Sequence, residues 1–218
     1  MKRFSTLGSV ATTAAIALAL VGGLAPAAQA VVPTASSAVV TAAASTTVAP
    51  AASRGCPTAI TGTPGTAPTK ISPLGVTGTT SQDVSQFAFA VNSIRVANCL
   101  PPIPLANFRY DSCMEARLFW MAESPSLDPM DAWGHMGSKR IDGVPSTGCD
   151  GNLAGGYNNT GATVAQKWWN STGHRTSLYR PTVTTSTARV CILFAITHGG
   201  VPNEAYAFTR AAARWVSC

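Results

Sequence analysis

The sequence predicts an α+β domain in which helices flank a small antiparallel sheet, preceded by an export leader and a low-complexity segment. Three observations lead there. Apolar residues recur at helical spacing through the first part of the domain, the period switches to strict alternation after Arg189, and six cysteines occur in a chain that opens on a secretion pattern.

Residues 1–30 carry Lys2 and Arg3, an apolar run from Val10 to Leu24, and Ala28-Gln29-Ala30. These are the charged, apolar and small-residue parts of a secretory signal peptide. The apolar run is short against the roughly 20 residues of a bilayer span, so no transmembrane anchor is expected after the signal is removed. Residues 31–80 are almost wholly Ala, Thr, Ser, Val, Pro and Gly, with little charge and no aromatic ring. Such a stretch buries too little apolar surface to offset its ordering entropy, and it reads as a flexible linker. Cys56 is the exception, a candidate to staple the linker to the domain of residues 81–218.

Within that domain Phe87, Val91 and Ile94 define a first helix after Asp83 or Ser85 as N-cap, ending before Leu100-Pro101-Pro102. Met114, Leu118 and Met121 define a second, starting at Asp111 or Ser112 and closed by Pro125. A third runs from Ala162 to Asn170, with Gly173 as its expected terminator and His174 just beyond, where a helix C-terminus favours a protonated imidazole. Val190, Ile192, Phe194 and Ile196 then alternate as a strand, which Gly199-Gly200 and Pro202-Asn203 turn back into a second strand from Ala205 to Thr209.

The chain has 15 basic and 9 acidic residues, and without Lys2 and Arg3 its net charge is +4. The arginines are scattered rather than clustered on one face, which argues against nucleic acid as a partner. The even cysteine set lacks any C-x-x-C pair and reads as structural disulfides. Cys191 with Cys218, in late strand-like segments, and Cys99 with Cys113, bracketing a Pro-rich turn, are the expected pairs.

Three motifs point to a function: H-M-G at His135 to Gly137, G-N-L-A-G-G at Gly151 to Gly156, and W-W-N-S-T-G-H-R at Trp168 to Arg175. With V-N-S-I-R at Val91 to Arg95, Leu105 in the Pro-rich turn and the helical segment Tyr110 to Glu123, they resemble, in order, the motifs of the CAP superfamily. That family comprises cysteine-rich secretory proteins, antigen 5 and plant pathogenesis-related proteins, and the resemblance is to its bacterial branch. It implies a three-layer α-β-α sandwich with two histidines, here His135 and His174, facing each other across a cleft. It also implies two acidic residues and a bound divalent metal such as zinc. The carry-over fails at both acids: Gly151 stands where relatives have Glu, and Ser171 stands at the second position. Asp150, one residue before Gly151, is the candidate third ligand beside His135 and His174, since zinc takes at least three protein ligands.

Around this cleft, Asn152 reads as a turn-locking residue, Arg175 as a bridge between loops and Trp168 as a core ring, while Tyr157 and Trp169 are candidates to line it. G-x-S-x-G and H-E-x-x-H are absent, and Ser171 with His174 makes a poor nucleophile–base pair. His198 has no partner visible in the sequence. The expectation is therefore a secreted binding or interaction module, and the resemblance, to a family whose members include sterol and lipid binders, implies a cleft for lipid, sterol, another small apolar ligand or a cell-wall component. The alternatives are a metal-dependent hydrolase of peptide or wall substrates, and an adhesive wall protein with a vestigial cleft.

Overall fold

A computed structural model describes residues 55–202 and 204–218, and the expected signal peptide and the start of the expected linker lie outside the described residues. Helix α1 (Ser81–Ala97) opens on a capping box. Thr80 accepts from the Asp83 N–H and the Asp83 carboxylate accepts from the Thr80 N–H, so the N-cap is Thr80 rather than Asp83 or Ser85. After a single 3-10 turn comes a short strand β1 (Phe108–Tyr110), and then α2 (Ser112–Ala122), capped by Asp111. Strand β2 (Asn152–Tyr157) precedes α3 (Gly161–Asn170), whose Thr160 forms a second capping box with Thr163. A one-turn helix α4 (Thr172–His174) and a π-helical turn (Arg175–Tyr179) lead to β3 (Val190–Gly200) and β4 (Glu204–Ser217).

The four strands form one sheet in the order β1-β3-β4-β2. It is mixed rather than antiparallel, because β1 runs parallel to β3 while β3–β4 and β2–β4 are antiparallel. The fold is thus α+β. Alternation along the two central strands divides the core. Ile192, Phe194, Ile196, Ala211 and Ala213 join residues of α1 and α3 in one buried cluster, while Leu193, Ala195 and Ala212 join Met114, Leu118 and Met121 of α2 in another. Phe87 centres the first cluster, stacked on Phe194 at 4.2 Å and edge-on to Trp168 at 5.7 Å. Trp168 is buried as expected, and its indole N–H donates to Leu153 O.

The N-x-x-R of the first helix has a physical role. Asn92 exchanges two hydrogen bonds with the backbone of Ile103, and Arg95, wholly buried, donates to Pro101 O and Tyr179 O. Together they tie the Pro-rich turn and the π-turn to α1.

Residues 55–80 correct the expected linker, because they are fastened to the domain. Leu105 N–H donates to Thr61 O, Gly65 N–H to Phe108 O, and Thr77 exchanges backbone hydrogen bonds with His198. Cys56 is bonded to Cys99, Cys113 to Cys149 and Cys191 to Cys218. The last pairing and the stapling role of Cys56 are as expected, whereas Cys99 takes Cys56 instead of Cys113. Tight spacing in sequence misled here: Cys113 lies inside α2 and faces the segment before β2. Three disulfides fit an extracellular protein, and among the described residues no helix is long and apolar enough to cross a membrane.

Candidate functional site

The candidate groove is organised around β2, an edge strand of the sheet, so residues from both faces can meet over it. From one side comes the connection between α2 and β2, which carries His135. Arg117 on α2 fixes that connection: one guanidinium nitrogen donates to Gly134 O and His135 O, both at 2.8 Å, and to Ser138 Oγ, the other donates to Ser146 Oγ, and the cation sits 4.4 Å from the Trp120 ring centre. Trp133 is accommodated because Gly155 of β2 has no Cβ, which would come within 2.8 Å of the indole ring.

His135 Nδ1 lies 2.7 Å from Asp150 Oδ1, and the same carboxylate accepts from the Met136 and Gly151 N–H groups. Burial opposes ionisation of Asp150, yet the hydrogen bonds from His135 and the two backbone N–H groups outweigh it, so its pKa falls below the usual carboxylate value. An ionised carboxylate only accepts, so Nδ1 of His135 carries the proton.

From the other side comes His174. Helix α3 ends at Asn170, with Ser171 as its C-cap, and Gly173 lies inside α4 instead of terminating α3. His174 is therefore within a helical turn, not beyond one. Its Nδ1 is 3.0 Å from Asn152 Oδ1, which also accepts from Ser177 Oγ. The Asn152 amide has only one orientation open to it, because its Nδ2 donates to Ala213 O. Its oxygen must face His174, so Nδ1 of His174 carries the proton as well. Burial, and secondarily the charge of His135, lower the His174 pKa, which reverses the expectation of a protonated ring. Both rings thus have Nδ1 tied down, and among the described residues neither Nε2 has a hydrogen-bond partner.

The remaining candidates divide. Asn152 lies in a strand rather than the expected turn and holds His174. Ser171 serves the backbone, accepting from the Arg175 N–H at 2.7 Å. Tyr157 is 61% exposed at the far end of β2, five residues and about 16 Å of extended chain from Asn152. Trp169 packs on the core edge-on to Tyr179, under the Arg175 guanidinium. Sequence reasoning missed Arg117 and Ser177. The π-turn is what swings Ser177 onto Asn152, and a π-turn has no local sequence signature.

The donor set does not fit zinc. Two Nε2 atoms fall short of three protein ligands, Asp150 is turned to Nδ1 of His135, and among the described residues no group of three or more His, Cys, Asp or Glu is placed to hold an ion. Position 151 has no room for the missing Glu without adjustment, since a Cβ there would stand 3.0 Å from Ala213 O and from Met114 Sδ. No family model, curated protein or solved structure matches the chain.

Proposed function

We propose that this is an extracellular binding module of the CAP type, with a three-layer α-β-α arrangement, whose ligand contacts His135 and His174 over the edge of β2. The observation that carries this reading is the matched anchoring of the two imidazoles: each has Nδ1 spent on a fixed acceptor, and neither Nε2 has a partner among the described residues. In its neutral form such a ring accepts a hydrogen bond at Nε2 from a hydroxyl or amide of a ligand. The division of the core between the two sheet faces supports the layered arrangement. Catalysis is the weaker reading, because no hydroxyl or thiol among the described residues is hydrogen-bonded to either Nε2 as a nucleophile would be.

The ligand class we favour is a lipid or other small apolar molecule carrying one polar head. Its support is the composition of the connection that bears His135, where Leu127, Met130, Met136, Ile141 and Val144 are all at least 43% exposed. Exposed apolar side chains mark an interaction site where they join into one contiguous patch. The test is native mass spectrometry of protein purified from culture medium, followed by uptake of labelled sterol and fatty acid by delipidated protein with and without chelator. Chelator-insensitive uptake that is lost in the His135→Ala and His174→Ala variants is expected. Uptake unchanged in both variants, or abolished by the chelator, refutes it.

A further inference from the structure

A second concavity, of about 160 Å³, lies where the Ser72–Gly75 turn leans over the end of β3 and the start of β4. Its wall includes Leu74, Thr77, His198, Gly200, Glu204 and Tyr206. At its base His198 Nε2 stands 3.2 Å from Asp83 Oδ2, each side chain only 9% exposed. The Asp83 carboxylate also accepts from the N–H and hydroxyl of Thr80. An acceptor so used requires the proton on Nε2, which leaves Nδ1 of the neutral ring as a lone pair. That Nδ1 has no hydrogen-bond partner among the described residues and is not among the buried unpaired atoms, so it keeps some exposure on a residue that lines the concavity.

The lining holds one carboxylate, Glu204, and no Lys or Arg. Asp83, Glu123, which accepts from the Leu74 N–H, and Glu204 are set against Arg210, which binds Glu204 through both carboxylate oxygens. Each of those oxygens keeps a further lone pair. The carboxylate lies on Gly200, where a Cβ would come within 2.2 Å of Oε2. The rim, by contrast, is apolar: Leu74 is 56% exposed, and Tyr206, stacked on His198 at 4.8 Å, is 60% exposed. A floor that offers His198 Nδ1 and the Glu204 carboxylate as acceptors, below an apolar and aromatic rim, suits a cation on a short hydrocarbon stem. The volume, well under the roughly 300 Å³ of a drug-sized site, suits one such chain.

We propose that this concavity binds a primary alkylammonium group, its head hydrogen-bonded to His198 Nδ1 beside Glu204 and its stem against Leu74 and Tyr206. The chemistry is shared by a free amine and by a lysine side chain of a partner protein. The assignment is independent of the His135–His174 groove. Full-length secreted protein with its disulfides intact is titrated near neutral pH with n-butylammonium, with Nα-acetyl-lysine methylamide, and with n-butanol and sodium chloride as controls. The readout is the shifts of the His198 imidazole nitrogens and of the Gly199 and Gly200 amides. Saturable shifts with the ammonium compounds and none with the controls are expected. Comparable affinity for both ammonium compounds points to a lysine side chain, and binding of butylammonium alone to a free amine. Tyr206→Leu, at an exposed position, weakens binding about two- to fivefold, and His198→Gln removes the response at Gly199 and Gly200. Shifts absent with both ammonium compounds, reproduced by butanol or salt, or unaltered in both variants overturn the proposal.

Discussion

Replacing Arg117 with methionine tests how the His135 connection is held. The guanidinium serves the carbonyls of Gly134 and His135, each at 2.8 Å, and the hydroxyls of Ser138 and Ser146. Methionine fills much of the same volume and still covers Trp120, but it donates nothing. The two hydroxyls can turn to other partners, whereas the two carbonyls lose theirs at a cost of about 1–3 kcal/mol each when fully buried. Both are only part-buried, so water recovers some of this, and the net loss is about 2–3 kcal/mol. With a urea slope of about 2 kcal/mol/M for a domain of this size, the unfolding midpoint falls by roughly 1–1.5 M. Limited proteolysis under native conditions should show new cleavage between residues 130 and 148. Arg117→Lys keeps the charge but offers one point of donation in place of a fork, so it should fall between wild type and Arg117→Met. A midpoint unchanged in Arg117→Met, with the connection still resistant to protease, would refute the assignment of Arg117 as its anchor.

Three further outcomes are expected. His174 has a lowered folded pKa, so its neutral form is the one the fold favours. Stability should be complete above the unfolded histidine value of about 6.5 and decline as pH falls through the folded value, and His174→Gln should flatten that limb in urea denaturation measured across pH. Asp150 is also lowered, so its contribution is present above the unfolded value of about 3.9 and disappears as pH falls through the folded one; Asp150→Asn should remove this acid-limb loss, which solvent screening keeps small, and an acid limb identical to wild type would contradict it. Gly161→Ala places a Cβ 2.3 Å from Asp83 O and 2.7 Å from Phe87 N where α3 crosses α1, and overpacking of that crossing should cost about 3 kcal/mol by thermal or chemical denaturation.

Much of the scaffold could be read from residue spacing, because three helices and the β3 strand bury regular apolar stripes. Even the first N-cap was present in T-S-Q-D, Thr80 to Asp83, as a capping-box pattern that lay just upstream of the two residues considered. Strand β2 was hidden because Gly155 and Gly156, which read as turn residues, are there to admit Trp133 and a positive φ of 121°. Residues 55–80 were hidden for a related reason. Their composition is that of a linker, and what orders them is a set of backbone hydrogen bonds and one disulfide, which composition does not encode. His135, His174, Asp150 and Asn152 stood out from motifs, but their pairing, His135 with Asp150 and His174 with Asn152, did not. The His174 state depends on burial and on an amide oriented by Ala213, both supplied by elements distant in sequence. His198 and Asp83, 115 positions apart, could be paired only by the fold.

The strand order also bears on how the molecule is assembled. The β3–β4 ladder joins near neighbours, Gly200 to Glu204 at its closest, whereas β1 meets β3 through Phe108 and Ile192 and β2 meets β4 through Asn152 and Ala213. Closing a short turn is entropically cheap and closing those long excursions is not, so the central hairpin is the natural nucleus and the outer strands dock upon it later. Asn152, which holds His174, belongs to one of those late arrivals. Conservative truncations in β3 and β4 should therefore slow refolding, whereas the same changes in β2 should chiefly hasten unfolding.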